Sequence, residues 1–246
     1  MKRAYIITSA IEAGNSPLTY NPVRSAFSAE ERLRQTVMTV ASLDQVSDSE
    51  TVIYLLDMSA NWSAYQDFFG YQTNLKFVSV KEEFPDIFQE VTTHANKSRC
   101  ETLATRRFLE TYRTELETFD VLVKVSGRYF IDGSFDPNML SSDKIFFKTP
   151  TEFDWQEWWG YDAVRLPDDN KLRQYCSVIF AWGRDHYDNM LNLYTKMSND
   201  LEQPNNQHYD IETLLYFYTR PYAIDIKETN WTVYGWLAPT GQFVRQ

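Results

Sequence analysis

Phe119-Asp-Val-Leu-Val-Lys-Val-Ser-Gly-Arg-Tyr129 decides the fold. Its apolar, β-branched core is too short for a helix, so it reads as a buried strand running straight into a polar turn that contains a glycine. Directly upstream lies the longest helical signal in the chain, with Cys100, Leu103, Ala104, Phe108, Tyr112 and Leu116 spaced three or four apart on one stripe. Further upstream, residues 75–80 read as a strand, 61–69 as a short helix, and 51–56 as a buried strand ending on Asp57. Ser28-Ala-Glu-Glu31 has capping-box spacing, with Leu33, Val37, Val40 and Ala41 at helical intervals behind it. Residues 4–10 form a first buried strand. Strands and helices alternate throughout, which predicts an α/β domain: a mostly parallel sheet, helices on both faces and right-handed connections.

Downstream of Tyr129 the rhythm breaks. Residues 143–148, 175–182 and 231–236 read as strands, and 184–197 and 210–218 as helices, with an aromatic segment between that holds Phe153, Trp155, Trp158, Trp159 and Tyr161. No repeat or linker divides the chain. The expectation is one domain, 1–246, with a regular half (1–140) and an irregular half (141–246).

Composition removes several functions. The chain has 24 Lys and Arg against 34 Asp and Glu, a net charge of −10, and such a field disfavours nucleic acid as a main partner. Two cysteines, Cys100 and Cys176, make no disulfide scaffold. No apolar run approaches the roughly eighteen residues that span a bilayer, and Thr8 and Ser9 interrupt the N-terminal one. A cytoplasmic protein is expected.

In an open α/β sheet, ligands bind outside the carboxyl ends of the strands. That rule selects Thr8 and Ser9, Asp57, and Lys124 through Tyr129, including Ser126, Gly127 and Arg128. Asn96-Lys97-Ser98 opens the long helix, where free N–H groups and the helix dipole favour an anion. Lys97, Lys124 and Arg128 could neutralise a diphosphate; ordinary ion pairs to neighbouring acids explain the same residue types equally well. Gly127 allows a sharp turn or a close approach.

Val123-Lys-Val-Ser-Gly-Arg-Tyr-Phe130 resembles the Lys-Ile-Ser-Gly-Arg-Tyr element of bacterial and viral glycosyltransferase-like proteins. The first 140 residues or so are similar to the nucleotide-binding half of a GT-A glycosyltransferase. The resemblance implies a GT-A-like, Rossmann-like fold in which 1–140 binds a nucleotide sugar and 141–246 the acceptor. It places Thr8 and Ser9 near the nucleotide, Asp57 on its base or ribose, and Lys97, Lys124 and Arg128 at the diphosphate or donor sugar. Most such enzymes carry Asp-x-Asp after the strand that corresponds to residues 121–125, to hold a divalent metal; here Lys124-Val-Ser-Gly-Arg128 stands instead. The expectation is therefore a metal-independent enzyme, with Asp132 and Asp136 as the alternative ligands for an offset Mg or Mn site.

Glu212 is the first candidate for the base that deprotonates an acceptor hydroxyl, with Asp210 beside it; acids in a first helical turn also suit the helix dipole without any catalytic role. Asp154 and Glu157 come second, and His94 and His186 are expected to be surface or hydrogen-bonded residues. Trp155, Trp158 and Trp159 fit a stacking floor for a glycan acceptor, or a docking surface for a lipid-linked acceptor at the inner face of the membrane. The combined expectation is a glycosyltransferase of cell-surface polysaccharide synthesis. A sugar nucleotidyltransferase is the enzyme alternative, although only Gly14 stands where its Gly-rich loop would lie. A non-catalytic glycan-binding protein is the alternative from another class.

Overall fold

A computed structural model describes residues 1–19, 21–154, 171–206 and 209–246. The first half runs β1 (Arg3–Ser9), α1 (Ala29–Asp44), β2 (Thr51–Asp57), β3 (Leu75–Ser79), α2 (Val80–Glu83), α3 (Pro85–Thr93), α4 (Lys97–Thr111), α5 (Arg113–Leu116) and β4 (Val121–Ser126). The second runs β5 (Tyr129–Ile131), β6 (Ile145–Lys148), β7 (Thr151–Asp154), β8 (Lys171–Gln174), β9 (Ile179–Gly183), α6 (Tyr187–Glu202), α7 (Ile211–Thr219), β10 (Ile226–Thr229), β11 (Val233–Trp236) and β12 (Phe243–Arg245).

Seven strands form the central sheet in the order β10-β6-β9-β4-β1-β2-β3. The pairs β1–β2, β1–β4, β2–β3 and β6–β10 are parallel, whereas β9 runs antiparallel to β4 and β6. The inner strands are apolar on both faces because both are covered. Ala4 and Ile6 pack with Cys100, Ala104 and Phe108 of α4, while Tyr5 and Ile7 pack on the opposite face with Leu33 and Val40 of α1. A separate three-stranded sheet, β12-β11-β5, helps to cover the α1 face.

The capping box forms as spelled: Glu31 N–H donates to Ser28 Oγ at 3.2 Å, and Ser28 N–H to Glu31 Oε2 at 2.8 Å. The long helical stripe is split, because Tyr112 leaves helical geometry and closes α4 before α5 begins. Residues 61–69 form two 3₁₀ turns rather than an α-helix, and α3, entered through Pro85, lies where the sequence reading had assigned no element.

The expected strand over 175–182 is broken in a way that matters for function. Val178 still meets the end of β4, accepting from Ser126 N–H at 2.8 Å, but before it the chain leaves the sheet, where the Lys124 ammonium donates to Ser177 O at 2.6 Å. Only Ile179–Gly183 remains sheet, and residues 175–178 become the wall of a cleft.

Gly183 sits against the backbone of Ser142: a methyl group there would come within 2.1 Å of the Ser142 carbonyl oxygen and 2.5 Å of its Cα. Backbone cannot step aside as a side-chain end can. Gly183→Ala is expected to cost about 3 kcal/mol, read as a lower urea midpoint at unchanged m-value.

Candidate active site

The site is built around one buried ion pair. Lys124 faces α4 by the two-residue period of β4, and its side chain is 0% exposed. A lysine so placed needs partners for its charge. The ammonium pairs with the Glu101 carboxylate, donates to Ser126 Oγ at 2.9 Å and reaches Ser177 O. Thr8 Oγ1 donates to the same carboxylate at 3.3 Å. Burial alone would raise the Glu101 carboxyl, but Lys124, with Lys97 and Arg128 behind it, holds it below the ordinary glutamate value.

Above this floor opens a cleft of ≈ 750 Å³ at the carboxyl ends of the central strands. On one side stand Lys97 and Arg128. Asn96 caps α4 by accepting from Arg99 N–H at 3.1 Å, which puts Lys97 at the first helical position, and Arg128 is fixed by its Nε donating to Trp236 O at 3.2 Å. Burial first, and then the Arg128 charge, hold the Lys97 ammonium well below the ordinary lysine value, with Glu101 opposing. Arg32, buried and donating to Ala10 O at 2.5 Å and to Ser25 Oγ at 3.2 Å, is pushed down to about 9 by burial and then by Arg128. Positive charge is thus concentrated in one wall of an acidic protein.

Across the cleft, Asp210 caps α7: its Oδ1 accepts from Thr213 N–H at 2.7 Å and its Oδ2 from Gln174 Nε2 at 2.8 Å. Glu212 follows in the first turn and accepts from the Ser177 hydroxyl. Burial, then the Asp210 carboxylate, push the Glu212 carboxyl up to about 7. A carboxyl poised near neutrality beside a water-accessible cleft can accept a proton from a bound hydroxyl.

Of the residues selected from the sequence, Lys97, Ser126, Arg128, Asp210 and Glu212 line this one cleft. Others do not. Lys124 lies beneath the floor, tied to Glu101, so the expected three-cation cradle presents two cations at the surface. Thr8 also lies below the lining, holding Glu101, and the Ser9 hydroxyl is shared with Thr36 at 3.3 Å. Asp57 serves the loop after β1 instead of a ligand: its oxygens accept from Ile11 N–H at 3.2 Å and Ser59 N–H at 2.8 Å. Gly127 is needed for close approach to a strand, because a methyl group there would lie 3.0 Å from Ser9 Cβ and 3.1 Å from Thr8 O. His94 Nδ1 accepts from Asn96 N–H, and His186 Nε2 lies 3.0 Å from Asp143 O. Trp155, Glu157, Trp158 and Trp159 fall outside the described residues, and Asp154 at the end of β7 pairs with Lys171.

Glu101, Ser177 and Lys148 belong to the site and were not selected from sequence. Glu101 was within reach, since it lies four residues after Lys97 and hence on the same face of a helix.

Among the described residues, the carboxylates of the cleft make a poor donor set for a divalent cation. Glu101 is neutralised by Lys124, Asp210 is committed to capping, and Glu212 keeps its proton to about pH 7. Hard cations take ionised oxygens. Asp132 and Asp136 lie outside the cleft, where they accept from Ser134 N–H at 2.8 Å and Asn138 N–H at 2.9 Å. Among the described residues no group of three acidic, His or Cys side chains is placed to hold a metal.

No family model matches the sequence, and no curated protein is similar to it. Solved structures are similar in shape. Mouse xyloside xylosyltransferase 1 in its apo form superposes with a TM-score of 0.50 over 94% of this chain and 86% of that one, at 10% identity. The apo structure of WbbM, a bifunctional glycosyltransferase, gives 0.51 over 92% of this chain and 38% of that one, at 8% identity. Identities this low speak to fold alone. The chain has the α/β fold of GT-A glycosyltransferases, a large, mostly parallel sheet with its cleft at the strands' carboxyl ends.

Proposed function

We propose that the protein is a glycosyltransferase that moves a sugar from a nucleotide-sugar donor to a glycan or lipid-linked acceptor, in cell-surface polysaccharide synthesis and on the cytoplasmic side of the membrane. One observation carries this reading: a single cleft holds two cations, Lys97 and Arg128, on one wall and a near-neutral carboxyl, Glu212, on the other. The fold is consistent with it, and no described helix is long and apolar enough to cross a membrane.

The donor diphosphate lies against Lys97, Arg128 and the first N–H groups of α4. As the bond between the anomeric carbon and the phosphate oxygen breaks, the electron pair leaves with the diphosphate, whose growing charge the two cations stabilise. The acceptor oxygen forms the new bond to the anomeric carbon, and its proton passes to Glu212, which Ser177 orients. Positive side chains do here what a metal does elsewhere, so turnover is expected to continue in EDTA.

A thermal-shift series with UDP, GDP, CDP and dTDP sugars and CMP sugars tests the reading, since a ligand that binds only the folded state raises the melting point. One nucleotide class is expected to stabilise the protein with or without Mn²⁺. Lys97→Ala and Arg128→Ala are each expected to abolish that shift and to lower turnover about 100-fold. A shift abolished by EDTA would remove the metal-free mechanism, and no shift with any nucleotide at millimolar concentration would remove the enzyme.

A further inference from the structure

Two cations, Lys148 in the cleft and Arg245 near it, have no part in the reaction above. Lys148 ends β6 and lines the cleft, and among the described residues its ammonium makes no hydrogen bond or ion pair. Burial lowers it, with Cys176 opposing, Arg245 adding to the depression and Asp132 opposing more weakly. Asp132 is itself engaged by the Ser134 hydroxyl at 2.5 Å. Arg245, on β12, lies over the Tyr234 ring at 5.8 Å and likewise has no carboxylate paired with it among the described residues. In a chain of net charge −10, two neighbouring cations that share the field of a single carboxylate, Asp132, and form no direct ion pair among the described residues are unusual.

Arg245 stands on a sheet with an uncommon outer face. The inner residues of β5 and β11, Tyr129, Ile131 and Val233, are buried in the core. The alternate residues point outward and are aromatic. Phe130 and Tyr234 stack at 5.8 Å with ring planes 19° apart, Trp236 meets Phe243 at 5.1 Å, and Phe243 is 51% exposed. Rows of flat rings offer faces to the C–H surfaces of sugars. The cleft borders this sheet at the ends of its strands: Leu237, after Trp236, and Gln246, after Arg245, line the cleft, and Gln246 Oε1 accepts from the Cys176 thiol at 3.5 Å.

We propose that the acceptor is an acidic glycan, with a carboxylate-bearing sugar held by Lys148 and Arg245 and its neighbouring rings laid across Phe130, Tyr234, Trp236 and Phe243. The word acceptor rests on the transferase reading; the glycan site itself does not.

The test is titration of the full chain, by calorimetry, with hexagalacturonate and with its full methyl ester, which keeps the rings and removes the charge. The acid is expected to bind at least about tenfold more tightly, the equivalent of one good ion pair, and to lose that margin in high salt. Lys148→Met is expected to bring the acid down to the affinity of the ester without changing the ester, whereas Phe243→Ala weakens both. Melting curves without ligand check that each variant is folded. Equal binding of acid and ester, no effect of Lys148→Met, or no binding of either at millimolar concentration overturns the proposal. The nucleotide shift is read on the same preparations. Glycan binding without any nucleotide shift removes the transferase and leaves the acidic-glycan site, and a nucleotide shift without glycan binding does the reverse.

Discussion

Glu212→Gln is expected to slow sugar transfer by about 10²- to 10⁴-fold, the usual worth of a positioned general base, and to leave the nucleotide thermal shift intact because Glu212 faces the cation wall across the cleft. The wild-type rate should climb as pH rises through about 7, where the Glu212 carboxyl loses its proton, and the variant should lack that limb. Stability should move the other way. The carboxyl titrates near 4.5 when unfolded and at about 7 when folded, so the folded state holds the proton more tightly. Below pH 4.5 both states are protonated and nothing is lost; between 4.5 and about 7 the folded state is progressively disfavoured, by at most about 3 kcal/mol. An amide carries no such penalty, so Glu212→Gln should melt several degrees higher than wild type at pH 8 and show no gain at pH 4. A variant that loses activity and stability together at pH 8 would mark Glu212 as structural, held there for Ser177.

What could be read from the chain follows the range of the interactions involved. β1, β2 and β4 announce themselves because strands covered on both faces carry apolar residues at every position, and α1 because its capping box is closed within four residues. The diversion of residues 175–178 has little local signature: the run is apolar but for Ser177, and the groups that draw it aside, Lys124 and Glu212, lie more than thirty residues away in the chain. Asp57 and Lys124 show the same difficulty from the other direction. Each stands at or near a strand's carboxyl end, where ligands bind, yet Asp57 is consumed by two backbone N–H groups and Lys124 by Glu101. Position selects the rim of the sheet, but pairing decides which of its charges face the cleft. Lys97 and Arg128 line the cleft, whereas Lys124 is held beneath it by Glu101.

Lys124→Met is expected to cost about 3–5 kcal/mol, because it leaves the Glu101 carboxylate at the cleft floor without its principal counter-charge. The deficit should depend on pH with a definite sign. In the wild type the Glu101 carboxyl is held below its unfolded value, so it contributes stability above pH 4.5 that fades as pH falls; without Lys124 that contribution is gone. Urea denaturation should therefore show a large gap between variant and wild type at pH 7 and a smaller one at pH 4, where Glu101 can take up a proton. Lys124→Met combined with Glu101→Gln should recover much of the loss, since removing both charges leaves neither one stranded. Recovery of the fold need not restore turnover: the ammonium also fixes Ser177 O at 2.6 Å, and Ser177 orients Glu212, so the double variant is expected to keep nucleotide binding while transfer stays slow. If Lys124→Met instead melted like wild type and lost only nucleotide binding, the lysine would belong to the diphosphate and not to the floor beneath it.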